Sequence, residues 1–178
     1  MAGARQGARA EAVADREIVV SRVIDAPRDL VFEAFTEVRH LGRWWGPAGF
    51  TTTTRSFDFR EGGVWDFVLH GPDGTDYQEW ITWTEIVPPE RIALVHGESR
   101  DDPNAFESLL TFTSEGAGAG TRIVMRTVFP SRELRDEAVE KYHAVEGGQQ
   151  TLDNLAAYVA ESVRQDREVR GSREKEGH

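Results

Sequence analysis

Residues 61–97 read EGGVWDFVLHGPDGTDYQEWITWTEIVPPERIALVHG, and their patterning decides the fold. Trp65, Phe67 and Leu69 share one parity, as do Ile81 and Trp83, and Ile92, Leu94 and His96 share the other. Residues of the opposite parity, such as Asp66, His70 and Thr84, are mostly polar. Period two of this kind predicts strands with one face turned to a core. Glu61-Gly-Gly63, Gly71-Pro-Asp-Gly74 and Pro88-Pro89 break the stretch with turn signals. Connections that short make consecutive strands antiparallel neighbours.

The same pattern extends outward. Phe106, Leu110 and Phe112 continue it, the Gly-rich patch Gly116–Gly120 interrupts it, and Ile123, Met125 and Phe129 resume it. Six strands are predicted near residues 50–59, 64–70, 76–87, 91–96, 105–114 and 121–129. Upstream, Ile18, Val19, Val20, Val23 and Ile24 predict a first strand within 17–25. Asp25-Ala-Pro27 then places Asp25 near a helix N-cap and Pro27 in the first turn, with Leu30, Val31, Ala34 and Phe35 at helical spacing. Val38, Leu41, Trp44 and Trp45 predict a second short helix ended by Gly46-Pro47.

From Ser131 the period changes to helical. Leu134, Ala138, Tyr142, Val145, Leu152, Leu155, Ala156 and Val159 form one stripe over about eight turns, read as a single helix. Gly147-Gly148 lies within it, where each Gly costs roughly 1 kcal/mol relative to Ala, so a bend or a close approach is expected there. The predicted fold class is α+β: a helix-grip fold in which a curved antiparallel sheet of about seven strands wraps a long C-terminal helix, in the order β-α-α-β6-α. Domain organisation follows: a disordered or loosely ordered segment over 1–16, one domain over 17–165, and a polar tail over 166–178.

Of 178 residues, 39% are hydrophobic, and five Trp and nine Phe supply material for a core. No Cys is present, which excludes disulfides, thiolate metal sites and a Cys nucleophile. The net charge is −10; the segments 1–16 and 161–178 contribute +1 and 0, leaving −11 for the middle. That field repels phosphate backbones and anionic lipid, so no nucleic acid and no membrane insertion is expected. With no signal-peptide-like run and no stretch approaching ~18 apolar residues, a cytoplasmic location is expected.

Residues 17–163 resemble the superfamily of helix-grip folds that includes START domains, the birch-pollen allergen and polyketide cyclases. Within it they resemble the group related to the C-terminal domain of the Hsp90 ATPase activator. The residues carrying the resemblance are Arg22-Val-Ile-Asp-Ala-Pro27, Arg43-Trp-Trp-Gly-Pro47 with Gly49-Phe50, Phe59-Arg-Glu-Gly-Gly63 with Trp65, Gly71-Pro-Asp-Gly74, Glu85–Ile92, Gly120-Thr-Arg122, and Gly147 with Leu152 and Leu155. The resemblance implies the same fold and spans ligand carriers, cyclases and chaperone regulators. Two departures stand out. Relatives often read Gly-Trp where this chain reads Gly147-Gly148, and the eukaryotic activator has a separate N-terminal Hsp90-binding domain for which residues 1–16 are too short.

A gap between sheet and helix is the expected site. Its candidate lining is Trp44, Trp45, Trp65, Phe67, Leu69, Glu79, Ile81, Trp83, His96, Phe112, Met125, Tyr142, Val145 and Gly148. Trp44-Trp45 reads either as a rim gate for an aromatic ligand or as core filling. The apolar strand faces read equally as a filled core or a lined pocket. Glu79, His96 and Tyr142 fall in register with that face, where a carboxylate, an imidazole and a phenol can orient a ligand or move protons; exposure at a strand end is the alternative. The five His lack metal-ligand spacing, so no metal and no cofactor is expected. Gly116–Gly120 lacks the Lys-Ser/Thr of a phosphate loop, and no Ser lies in a nucleophile elbow, so no catalytic residue is named and enzymatic activity stays open. The leading expectation is binding of a small, mainly hydrophobic or aromatic molecule. An Hsp90-type chaperone interaction module and a cyclase- or dehydratase-like enzyme are the alternatives, and a homodimer is left open.

Overall fold

The computed structural model of the chain describes residues 13–176. The seven strands are β1 (Glu17–Ile24), β2 (Thr51–Phe57), β3 (Val64–His70), β4 (Asp76–Val87), β5 (Arg91–Gly97), β6 (Phe106–Glu115) and β7 (Gly120–Val128). All pair antiparallel in the order β1-β7-β6-β5-β4-β3-β2. The meander expected from the turn signals is thus present, with β1 laid beside β7. Register slips between Thr54 and Ser56 and between Trp83 and Glu85 bend the sheet, since a bulged strand bends and twists more strongly. The sheet therefore curls around its inner face.

Two short helices, α1 (Arg28–Glu33) and α2 (Val38–Trp44), follow β1. Pro27 is the N-cap of α1 rather than its first residue, and no side chain caps it, so Asp25 lies outside the helix start. α1 leads into Phe32 and Phe35, which pack edge-on against Phe112 at centroid distances of 5.2 and 5.4 Å. Trp44 joins them, 4.7 Å from Phe35, with its indole N–H donating to Ala34 O at 3.1 Å. These rings close one half of the sheet's concave face.

The predicted single C-terminal helix is two. α3 (Arg132–Glu140) begins at Ser131, whose hydroxyl accepts from Leu134 N at 3.2 Å. α4 (Ala144–Glu176) begins after a break at Lys141–His143, where His143 takes φ of +52°. The bend expected at Gly147-Gly148 falls four residues earlier, and both glycines are helical. His is among the non-Gly residues that tolerate the left-handed region best. The break turns α4 onto the sheet, so its buried stripe is Thr151, Leu152, Leu155 and Val159, with Val163 packed beside it.

Because of the break, Tyr142 and Val145 do not face the sheet: they are 57% and 40% exposed. Beyond Val163, α4 continues as a helix through the polar residues from Asp166 to Glu176. At the other end, Arg16 is held against Phe129, donating to its carbonyl at 2.8 Å and accepting from its N–H at 2.9 Å; the expectation for residues 1–12 lies outside the described residues. No helix among the described residues is long and apolar enough to cross a membrane.

Leu152 lies at the centre of the α4 stripe and is 1% exposed. Leu152→Ala is expected to lower unfolding free energy by roughly 2–5 kcal/mol, read as a shift of the urea midpoint at unchanged slope.

Candidate functional site at the open end of the grip

The inner face divides in two. Trp65, Phe67, Ile81, Trp83, Ile92, Leu94, Leu110, Phe112 and Ile123 are sealed from solvent. Along the same strands, Leu69, Glu79, His96, Phe106 and Met125 are only partly covered, as is Trp45 just after α2. The sequence places all of these on one face, and the structure separates a filled half from a reachable one. Phe112 and Trp83, expected in a cavity lining, are core residues: Phe112 is closed off by Phe32 and Phe35, and Trp83 by Phe57 and Phe59. Trp65 and Ile81 are likewise packed out of reach, Trp65 stacking on Phe67 at 3.7 Å.

Trp44 and Trp45 part company. Trp44 is buried as described; Trp45, in extended backbone (φ −64°, ψ 132°), ends α2 and swings its ring to 5.8 Å from Trp65 and 6.3 Å from His96. A clamp holds this turn. Gly46 has φ of +108°, and a Cβ there would stand 3.0 Å from Leu69 Cδ1, so only Gly fits. From α4, Asn154 Nδ2 donates to Gly46 O at 2.9 Å and Gln150 Oε1 accepts from Ala48 N at 3.1 Å. Helix and sheet together thereby set where Trp45 points.

Under that ring, His96 Nε2 and Glu79 Oε2 are 2.6 Å apart, with side chains 15% and 17% exposed. Strand register makes the pair: His96 is opposite Ile81 on β4, and Glu79 is two residues along the same face. Phe106, directly opposite His96 on β6, lies 4.8 Å from its ring, and Phe67 lies 6.4 Å away. Phe129 extends the aromatic wall, 5.1 Å from Phe106. Beside it Ser108 and Thr127 hydroxyls meet at 2.9 Å. Phe106, Ser108 and Thr127 were not in the expected lining; the signal for Phe106 was present, since it shares the inner-face parity of Leu110 and Phe112.

Tyr142, the third polar group expected here, lies exposed in the α3–α4 break and takes no part. Gly148 faces the sheet, but not over open volume: a Cβ there would meet Val20 Cγ2 at 3.3 Å and Met125 Cε at 3.4 Å. The small residue permits close helix–sheet approach. Elsewhere, a surface groove of about 810 Å³ runs between α1–α2 and α4, where His40 Nδ1 and Tyr158 OH lie 2.5 Å apart. A recess of about 300 Å³ lies beside Phe59 and Pro88-Pro89. Neither is lined by Trp45, Glu79 or His96. Among the described residues no group of three or more His, Asp or Glu is arranged to hold a metal ion.

A family model described as activator of Hsp90 ATPase homolog 1-like protein matches residues 25–160. No curated protein matches the chain. Among solved structures, a protein from Nitrosomonas europaea is similar with 19% identity and a TM-score of 0.74, over 85% of this chain and 98% of that one. A protein from Chromobacterium violaceum shares 25% identity with a TM-score of 0.69, over 81% and 96%. A protein from Silicibacter pomeroyi shares 22% identity with a TM-score of 0.65, over 82% and 99%.

The contacts beneath Gly148 make a direct test. Gly148→Trp is expected to force α4 from the sheet and cost more than about 1 kcal/mol. In Gly148→Ala a helix-propensity gain of about 1 kcal/mol opposes the squeeze on Val20 and Met125, so its denaturation midpoint stays near that of wild type. A Trp variant as stable as wild type would show that the approach of α4 to Val20 is looser than described.

Proposed function

The chain belongs to the family of activator of Hsp90 ATPase homolog 1-like proteins, and from that premise we propose that the open end of its grip binds a small, mainly apolar or aromatic molecule. One observation carries the reading: the partly covered inner-face residues Leu69, Glu79, His96 and Phe106 gather at one end, where Trp45 stands beside the hydrogen-bonded Glu79–His96 pair. Elsewhere the same face is packed shut. Ligand sites combine apolar and aromatic walls with few convergent polar groups, and this end has that make-up. The chaperone-module alternative needs a sealed interior and works through the outer surface; the reachable Trp45–His96 end favours the ligand reading. A cytoplasmic setting belongs to the same proposal.

Titration with 2-methoxynaphthalene, followed by quenching of tryptophan fluorescence, tests it. Wild type is expected to bind, Trp45→Ala to bind at least about tenfold more weakly, and Arg43→Ala, in the α1–α4 groove, to bind as wild type does. Loss of binding in Arg43→Ala with Trp45→Ala unaffected would move the site to the groove.

A further inference from the structure

We infer that the Glu79–His96 pair selects, among aromatic ligands, those carrying a hydroxyl group, which donates its hydrogen to His96 Nδ1. This rests on the binding reading above and names what that site prefers. A carboxylate offers only acceptors, so with Glu79 ionised the hydrogen between them belongs to His96 Nε2. In the neutral form of the ring this tautomer leaves the lone pair on Nδ1. The sealed and unpartnered side-chain nitrogens among the described residues are Arg22 Nε, Trp80 Nε1 and Trp83 Nε1, with no such oxygen. His96 Nδ1 and Glu79 Oε1 are not in that set, and neither has a hydrogen-bond partner in the protein. Both atoms are therefore open to solvent.

The surroundings narrow the ligand. Phe106 and Trp45, both partly covered, border the imidazole at 4.8 and 6.3 Å, so a flat ring is favoured against them with its polar substituent at Nδ1. Arg22, a cation on the same sheet face, is engaged by Asp153 of α4 and does not reach the pair. An ammonium ligand would bring three N–H groups and a full charge to be desolvated beside the aromatic rings, a cost that Glu79, already engaged by His96, offsets only in part. A hydroxyl brings one, and Nδ1 takes it, while the hydroxyl oxygen keeps its own lone pairs for water. The carboxylate fixes the imidazole's orientation and tautomer, as second partners of histidine do elsewhere.

Calorimetry of the full chain with 2-naphthol, 2-methoxynaphthalene and 2-naphthylmethylammonium tests the inference. Wild type is expected to bind 2-naphthol about tenfold more tightly than the methyl ether, the scale of one hydrogen bond to a polarised acceptor. His96→Phe keeps a ring and is expected to bring the two to equal affinity. Should that variant not fold, nitrogen NMR of wild type decides: the Nδ1 resonance of His96 is expected to be that of an unprotonated ring nitrogen and to move when 2-naphthol, but not the ether, is added. Equal affinity of naphthol and ether for wild type would overturn the hydroxyl preference while leaving the binding site standing. Tightest binding of the ammonium would overturn it in favour of Glu79 acting as a counter-ion. Failure of all three probes to bind would overturn the site itself.

Discussion

Seven antiparallel strands present a wider apolar face than one helix can cover, and the rest of the molecule answers to that mismatch. A helix is about 10 Å across with its side chains, whereas neighbouring strands are nearly 5 Å apart. The bulges in β2–β3 and β4–β5 reduce the mismatch by curling the sheet. The rings of Phe32, Phe35 and Trp44 cover a further part from the α1–α2 side. What neither reaches is the end bearing Glu79 and His96. Trp45 stands beside that end, 6.3 Å from His96, and it is where it is because Asn154 and Gln150 hold the turn after it.

Much of the fold was legible because it is written in local chemistry. β3 and β4 begin and end at the residues expected, since period-two alternation and Gly-Pro-Asp-Gly or Pro-Pro punctuation mark their ends unambiguously. The break before α4 was not legible. Apolar residues at Leu134, Ala138, Tyr142 and Val145 keep a helical spacing through it, and the residue that turns the chain is a His rather than the adjacent glycines that usually signal a change of direction. Tertiary packing decides there: α4 must drop onto Val20 and Met125, and Gly148 is small for that approach rather than to leave a cavity.

The candidate site shows the same division. Alternation tells which face a residue occupies, so Trp65, Phe67, Ile81, Trp83, Glu79 and His96 were correctly grouped on one face. It does not tell which half of that face is covered, because the cover comes from residues distant in sequence. Phe112 and Trp83 therefore looked like cavity lining and are core. The Glu79–His96 contact depended on the β4–β5 register as well, and a slip of one residue would have sent one partner to the outer face.

That pair also bears on why the open end is unlike the rest of the inner face. A partly buried carboxylate and imidazole contribute little net stability, since desolvation offsets much of their attraction. Two well-packed aliphatic residues would hold the sheet at least as well. The strands around the pair show that the fold tolerates such residues at the equivalent positions: Ile81 and Leu94 are the neighbours on the same face, and both are sealed. Packing alone thus gives no reason for a polar pair at this place. The proposed ligand reading supplies one: Nδ1 and Oε1 stand open beside Phe106 and Trp45, where the polar group of an otherwise apolar ligand would meet them. Groups that add little to stability where they stand, and keep acceptors for something that enters, are what such a site has and a core lacks.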